Sequence, residues 1–329
     1  MPSNIPKPPY DPELAPLLQA FPQGDIPAKG IPALRKAQEE AANLEITLAG
    51  EPFTHEERTI SGPNGLITLS VFYPKDHPQR GGKPGPGIYH MHSGGLICGN
   101  RFTGFKDCLR WGKATGAVCI GVEYRLAPEH KFPVAVEDCY AGLKWVGDHL
   151  AELGIDPARL LIAGQSMGGN LAACVAVLAR DRKGPALCGQ LIDAGMLDDE
   201  METNSSKQFV EEGTWSRGTN QMALNQIFGA GQRRLGSYAM ALRAEDLSGL
   251  PPAFLCAGSA ELFRDENVAY AQRLWAAGVQ AELHVWPGGY HCFDMLLPDA
   301  KVSKASIDAR TEWVKRIFEA SAPAPSPKL

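Results

Sequence analysis

A serine flanked by glycines, Gly164-Gln165-Ser166-Met167-Gly168, follows the apolar run Arg159-Leu160-Leu161-Ile162-Ala163 and leads into Gly169-Asn170-Leu171-Ala172-Ala173. Strand, sharp turn and helix in that order project a hydroxyl outward, and small flanking residues let the backbone bend tightly. The chemistry that suits such a hydroxyl is attack on a carbonyl. A helix start behind it supplies oriented N–H groups and partial positive charge for the developing oxyanion. With 35 glycines in the chain, Gly-x-Ser-x-Gly also arises on ordinary loops. What distinguishes this match is its place between a strand and a helix.

A serine hydroxyl attacks only when a base takes its proton. Histidines stand at 55, 77, 90, 92, 130, 149, 284 and 291. His149, in a helical segment with charged neighbours, reads as part of a solvated face. His284 lies within the strand candidate Ala281–Trp286 and reads as half-buried and satisfied. His291 follows Pro287-Gly288-Gly289-Tyr290 just beyond that strand. Loops carried by a rigid sheet are where aimed side chains sit, so His291 is the base candidate.

The base needs a carboxylate to fix its tautomer and stabilise its cation. Glu261 comes directly after the apolar run Ala253–Ala257 and the turn Gly258-Ser259-Ala260. Asp265 is the rival acid, although it would suit a helix start. The chain order Ser166, Glu261, His291 is that of the α/β-hydrolase arrangement. For the oxyanion, His92-Ser93-Gly94-Gly95-Leu96 offers backbone N–H groups with no side chain in the way, completed by the N–H of Met167. The competing reading of that stretch is a plain glycine turn. His90 and His92 would share one strand face as a metal pair does, but no third ligand lies nearby in sequence, so no metal is expected.

These residues need a scaffold. Ile67–Tyr73 alternates like a half-buried strand, and short apolar runs recur at Gly87–Met91, Ala117–Val122, Arg159–Ala163, Gln190–Ile192 and Ala253–Ala257. Segments of helical length lie between most of them, at 102–115, 133–153, 166–182 and 266–278. Strand and helix alternating at this spacing predict an α/β fold with a mostly parallel sheet covered on both faces. Residues 198–247 are too long for a plain crossover. They read as a substrate cap, helical at Met222–Phe228, joined by a helical N-terminal region 1–50 that includes Ile31–Ala41. The catalytic domain then spans 51–320, and 321–329 is a flexible Pro/Ala/Ser tail.

The motifs resemble the hormone-sensitive-lipase-like branch of the α/β-hydrolase fold. They are His92-Ser93-Gly94-Gly95, Tyr124-Arg125-Leu126-Ala127-Pro128-Glu129-His130 with Phe132-Pro133 and Glu137-Asp138, Gly164–Asn170, Arg264-Asp265-Glu266 and His291-x-Phe293. Together they cover roughly residues 85 to 295 in the family's order. Ser93 replaces the first glycine of the usual His-Gly-Gly-Gly, Gln165 and Met167 replace Asp and Ala around the serine, and Glu261 stands where aspartate is usual. In the family the second and third glycines carry the oxyanion contact, here Gly94 and Gly95.

The resemblance implies an α/β-hydrolase fold with a helical cap. It implies a serine hydrolase of small, short- to medium-chain carboxylic esters, working through an acyl-enzyme without metal or cofactor. Ser166 is its nucleophile, His291 its base and Glu261 its acid. The same triad could serve a lactone, amide or carbamate, and the family also contains dehydratases. Relatives that became small-molecule receptors have lost the catalytic histidine, whereas His291 is present here. Family members often pair, which leaves a homodimer open. Trp215, Phe228 and Phe293 are candidates for the pocket wall.

Composition agrees with a globular enzyme. The 329 residues are 44% hydrophobic and 21% charged, enough for a large core. A net charge of −5 without a Lys/Arg cluster speaks against nucleic acid. No stretch reaches the roughly 18 apolar residues of a membrane span, and the N-terminal Met1–Pro9 lacks a signal's apolar core. Eight singly spread cysteines, mostly in apolar runs, read as buried free thiols. A cytoplasmic location is therefore expected. Pro327-Lys328-Leu329 differs at one position from a peroxisomal address.

Overall fold

The computed structural model describes residues 5–21, 24–63, 65–76, 83–231 and 235–322. Eight strands form one sheet: β1 (Phe53–Gly62), β2 (Gly65–Pro74), β3 (Gly85–Met91), β4 (Val118–Glu123), β5 (Ile155–Gln165), β6 (Gly189–Asp193), β7 (Ala253–Gly258) and β8 (Ala281–Trp286). Their spatial order is β1-β2-β4-β3-β5-β6-β7-β8. β1 pairs antiparallel with β2 and β2 with β4, and every other pairing is parallel.

The central strands are apolar because both faces are covered, and their side chains alternate between two cores. Tyr89, Ile162, Ile192 and Leu255 enter one cluster with Leu143 and Val175 from the helices Val134–Asp148 and Met167–Asp181. Ile88, Leu161, Leu191 and Phe254 enter the other with Leu109 and Trp313 from the helices Phe105–Thr115 and Lys301–Ala320. Each strand predicted from its apolar run is present. β1 is additional: only Phe53 and Ile60 of its ten residues are buried, so an edge strand paired through its backbone left no apolar run to read. The helix Lys301–Ala320 is likewise additional.

The N-terminal segment carries short helices at Ala15–Ala20, Ile31–Ala41 and Leu44–Leu48, and the 198–247 interval carries Asn204–Gln208 and Arg217–Phe228. The two regions touch. The N–H of Ile26 donates to Thr219 Oγ1 at 2.9 Å, and Ser216 Oγ donates to Asp25 Oδ1 at 2.7 Å. The predicted flexible tail lies outside the described residues from 323 onward. Among the described residues no helix is long and apolar enough to cross a membrane. All eight cysteines are free, and all but the half-buried Cys188 are buried.

His149 is not on a solvated face. It ends the helix Val134–Asp148, stacked on Trp145 at 4.1 Å with Nδ1 at 2.8 Å from the Trp145 carbonyl. On β3, burial pushes the His90 imidazole down to about 3, and its ring lies edge-on to Phe105. A histidine held neutral in the fold but free to protonate when unfolded contributes stability above the unfolded value of about 6.5 and loses it as the pH falls toward 3. Urea unfolding between pH 6.5 and 4 should therefore show His90→Leu losing less stability than wild type, by about 1.4 kcal/mol per pH unit. Parallel slopes would contradict this account.

Candidate active site

β5 ends where the helix Met167–Asp181 begins, and one residue makes the turn. Ser166 sits at φ 57°, ψ −123°, a region that L-residues rarely occupy. The close approach of strand and helix explains the flanking glycines. A Cβ on Gly164 would stand 2.1 Å from the Gly168 carbonyl oxygen, and one on Gly168 would stand 2.3 Å from the carbonyl oxygens of Met91 and His92. The Ser166 N–H donates to the Asp193 carbonyl at 2.8 Å, and its own carbonyl accepts from Met196 at 3.1 Å. The strained residue is thereby held from both sides.

Ser166 Oγ lies 2.9 Å from His291 Nε2, and His291 Nδ1 lies 2.6 Å from Glu261 Oε2. All three residues are buried. The other Glu261 oxygen, Oε1, accepts the Gly258 N–H at 2.9 Å, so the carboxylate is fixed at both ends. The turns after β7 and β8 are joined directly. Ala260 N–H donates to the Gly289 carbonyl at 3.0 Å, and Gly288 N–H to Ser259 Oγ at 2.8 Å. Sheet register makes β7 and β8 neighbours, and Glu261 and His291 therefore meet across adjacent strand ends.

Asp265 does not face His291. Its Oδ2 accepts the Ser205 N–H at 2.8 Å and its Oδ1 pairs with Arg264. Burial works to raise this carboxyl, but Arg264 and Ser205 outweigh it and hold the group below the usual carboxylate range. It is a helix-start residue of Arg264–Ala276.

The loop after β3 brings Gly94 and Gly95 to the same end of the sheet. Both have positive φ, 117° and 61°. A Cβ on Gly94 would stand 2.2 Å from the Cys98 carbonyl oxygen, and one on Gly95 2.6 Å from the Trp215 ring. No described carbonyl accepts the N–H of Gly94, Gly95 or Met167. The Met167 side chain is buried in the main core. This loop is braced by the Tyr124 block. Tyr124 stacks on His92 at 4.0 Å and donates its hydroxyl to the His92 carbonyl at 2.7 Å. Arg125 binds Asp138 through Nε at 2.7 Å and Nη2 at 2.5 Å. Burial holds His92 below the usual imidazole range, so it is neutral at neutral pH. His90 and His92 have different ring partners, Phe105 and Tyr124, and among the described residues no cluster of three or more His, Cys, Asp or Glu could hold a metal.

Several contributors had no sequence signal. Arg35 of the helix Ile31–Ala41 donates to the carbonyls of Ile97 at 2.8 Å and Ala127 at 2.6 Å, tying the N-terminal region to the glycine loop. Thr214 Oγ1 donates to the His291 carbonyl at 2.6 Å. Of the pocket-wall candidates, Trp215 stands against Gly95, and Phe228 is paired with Phe132 at 5.7 Å. Phe293 instead packs with Leu14, Leu18 and Tyr290 in a separate cluster.

A profile of the alpha/beta hydrolase fold matches residues 88–295. The chain is 33% identical to a carboxylesterase of Mycobacterium tuberculosis, over 90% of this chain and 93% of that protein. Among solved structures it is similar to a bacterial heroin esterase, with a TM-score of 0.87 and 32% identity over 94% of this chain and 98% of the other. It is also similar to a hyperthermophilic esterase of the archaeon Pyrobaculum calidifontis, with a TM-score of 0.81 and 31% identity over 95% and 100%.

The two carboxylates make separable predictions. Glu261→Gln should lower kcat by roughly 10³- to 10⁴-fold, because the amide no longer holds the imidazole's tautomer or stabilises its cation. Asp265→Asn should leave kcat within about threefold while lowering the melting temperature, since it weakens only the contacts to Ser205 and Arg264. Steady-state kinetics on both variants would reverse the assignment if Asp265→Asn were the inactive one.

Proposed function

The chain belongs to the alpha/beta hydrolase fold family, in its hormone-sensitive-lipase-like branch, and is a serine esterase; we propose that Ser166, His291 and Glu261 are its triad and that its substrates are small esters of short to medium acyl length. The observation that carries the proposal is the unbroken hydrogen-bonded line Ser166–His291–Glu261 at 2.9 and 2.6 Å.

His291 Nε2 takes the Ser166 proton as Oγ attacks the ester carbonyl. The tetrahedral oxyanion is held by the N–H groups of Gly94, Gly95 and Met167, each of which is free of a described carbonyl partner. Glu261, bonded to Nδ1, stabilises the imidazolium. His291 then protonates the leaving alkoxide, and the intermediate collapses to an acyl-Ser166. Water, deprotonated by His291, repeats the sequence on the acyl group and releases the acid.

The restriction to small substrates rests on the cover. We assign residues 1–50 and 198–247 the role of a cap over the strand ends. Supporting this, Thr214 touches the His291 backbone, Trp215 stands against Gly95, and Asp11 N–H donates to the Gly288 carbonyl at 3.0 Å. Residues from both regions thus contact the loops that carry His291 and Gly95, which supports a cover that limits acyl length.

Hydrolysis of p-nitrophenyl esters from acetate to laurate, by wild type and Ser166→Ala, tests the proposal. The expected result is an optimum at the shorter chains, with release by Ser166→Ala reduced by at least about 10³-fold. Release that rises steadily to laurate would overturn the size restriction. No release by folded wild type at any length would redirect the triad to lactones or amides.

A further inference from the structure

The last helix carries an arginine where its apolar stripe requires a core residue. Ser303, Ser306, Ile307, Arg310, Trp313, Val314 and Phe318 form the buried face of Lys301–Ala320, and Arg310 is 0% exposed. Its guanidinium lies 2.6 Å from Asp193 Oδ2, 2.6 Å from Asp294 Oδ2 and 3.4 Å from Asp107 Oδ2. Those carboxylates come from three places. Asp193 ends β6, Asp294 lies three residues past His291, and Asp107 belongs to the helix Phe105–Thr115. Isolated burial of an arginine is prohibitive, and a site that spends three carboxylates on one guanidinium holds its members in a single arrangement.

We propose that Arg310 is a positioning residue for the Ser166–His291 pair, tying the strand end that holds the serine to the loop that carries the histidine; the proposal rests on the triad reading above. The linkage is continuous. Ser166 N–H donates to the Asp193 carbonyl at 2.8 Å, and Gln165 Nε2 donates to Asp193 Oδ2 at 2.9 Å. The Asp193 carboxylate then meets Arg310, which meets Asp294, itself fixed by Ser306 Oγ at 2.8 Å. On its near side the histidine is aimed by Glu261, and on its far side the chain is anchored at Asp294. The loop between includes Cys292 at φ 58°, a left-handed residue that local propensity would not hold.

The electrostatics support a fixed hub. Burial opposes the charge of Arg310, but Asp193, Asp294 and Asp107 outweigh it and keep the guanidinium charged. Burial holds the Asp193 carboxyl above its usual range, with Arg310 pulling the other way and Asp294 adding to the rise. The thiol of Cys256 donates to Asp193 Oδ1 at 3.1 Å, and burial keeps that thiol protonated. Arg110 pairs with Asp107 on its outer side.

The test compares Asp294→Asn, Arg310→Lys and the milder Ser306→Ala with wild type. Arg316→Ala, on the exposed side of the same helix and paired there with Glu282, is the control. Two rates are read at fixed pH: kcat and KM for p-nitrophenyl acetate, and the rate at which diethyl p-nitrophenyl phosphate labels Ser166. In the labelling step Oγ bonds to phosphorus, p-nitrophenolate leaves and the hydroxyl proton passes to His291, so it reports nucleophile activation without a carboxylic ester or a deacylation step. Circular dichroism confirms folding.

Displacements of the order of 1 Å cost up to about a hundredfold in rate. Asp294→Asn and Arg310→Lys should therefore lower kcat and the labelling rate together by roughly tenfold to a hundredfold, with KM within about twofold. Ser306→Ala should lower both by about threefold, and it keeps the test valid if the charge variants do not fold. Folded variants that melt earlier but label and turn over at the wild-type rate would reduce the hub to a stability device and overturn the proposal. A wild type that takes no label would instead overturn the triad reading, and the hub's role with it.

Discussion

The structure depends on one demanding turn. At Ser166 the chain passes from a central strand to a buried helix within a single residue, at a backbone conformation that costs about 1–3 kcal/mol. The turn persists because what lies on either side is strongly held. β5 is paired on both edges, and every residue from Met167 to Ala179 is buried. Burying a single Leu or Val side chain contributes about 1.5–3 kcal/mol, and this helix buries Leu171, Val175, Val177 and Leu178. The strain is thus small beside the packing that enforces it. The requirement for space at Gly164 and Gly168 follows from the same turn.

Around that fixed point the other groups are placed by different means. Glu261 and His291 are adjacent because β7 and β8 are adjacent in a parallel sheet, so their following turns emerge side by side. The glycine loop after β3 reaches the serine because β3 pairs directly with β5. It is held by aromatic stacking of Tyr124 on His92 and by Arg35 binding two of its neighbouring carbonyls. Buried charges serve as clamps rather than as sources of stability: Asp138 on Arg125, and three carboxylates on Arg310, each join segments that packing alone would leave free to shift.

The residues of the proposed triad were legible in the sequence as candidates because each sits next to a strong local signal. Ser166 follows an apolar run and precedes a helix, Glu261 follows another apolar run, and His291 follows a glycine turn. The α/β alternation was legible for the same reason, since a strand covered on both faces must be apolar throughout. β1 was hidden because its outward residues are charged and its pairing is made by backbone. His149 read as a charged-face residue because its partner, the Trp145 ring, is met only through helix geometry. Arg310 left a trace, a cation on an apolar stripe, but its three partners lie elsewhere in the chain.

By itself the sequence determined the strand and helix succession, the strand-turn-helix around Ser166 and the chain order of Ser166, Glu261 and His291, because these depend on periodicity and on neighbours a few positions away. Only the tertiary structure decided that His291 meets Ser166 across 125 positions and that Glu261, not Asp265, meets His291. It alone decided that residues from both ends of the chain, Arg35 and Arg310, close on the loops that carry the site. The physical reason is that such contacts are set by sheet order and by the filling of two cores, and neither is written in the spacing of residues along the chain.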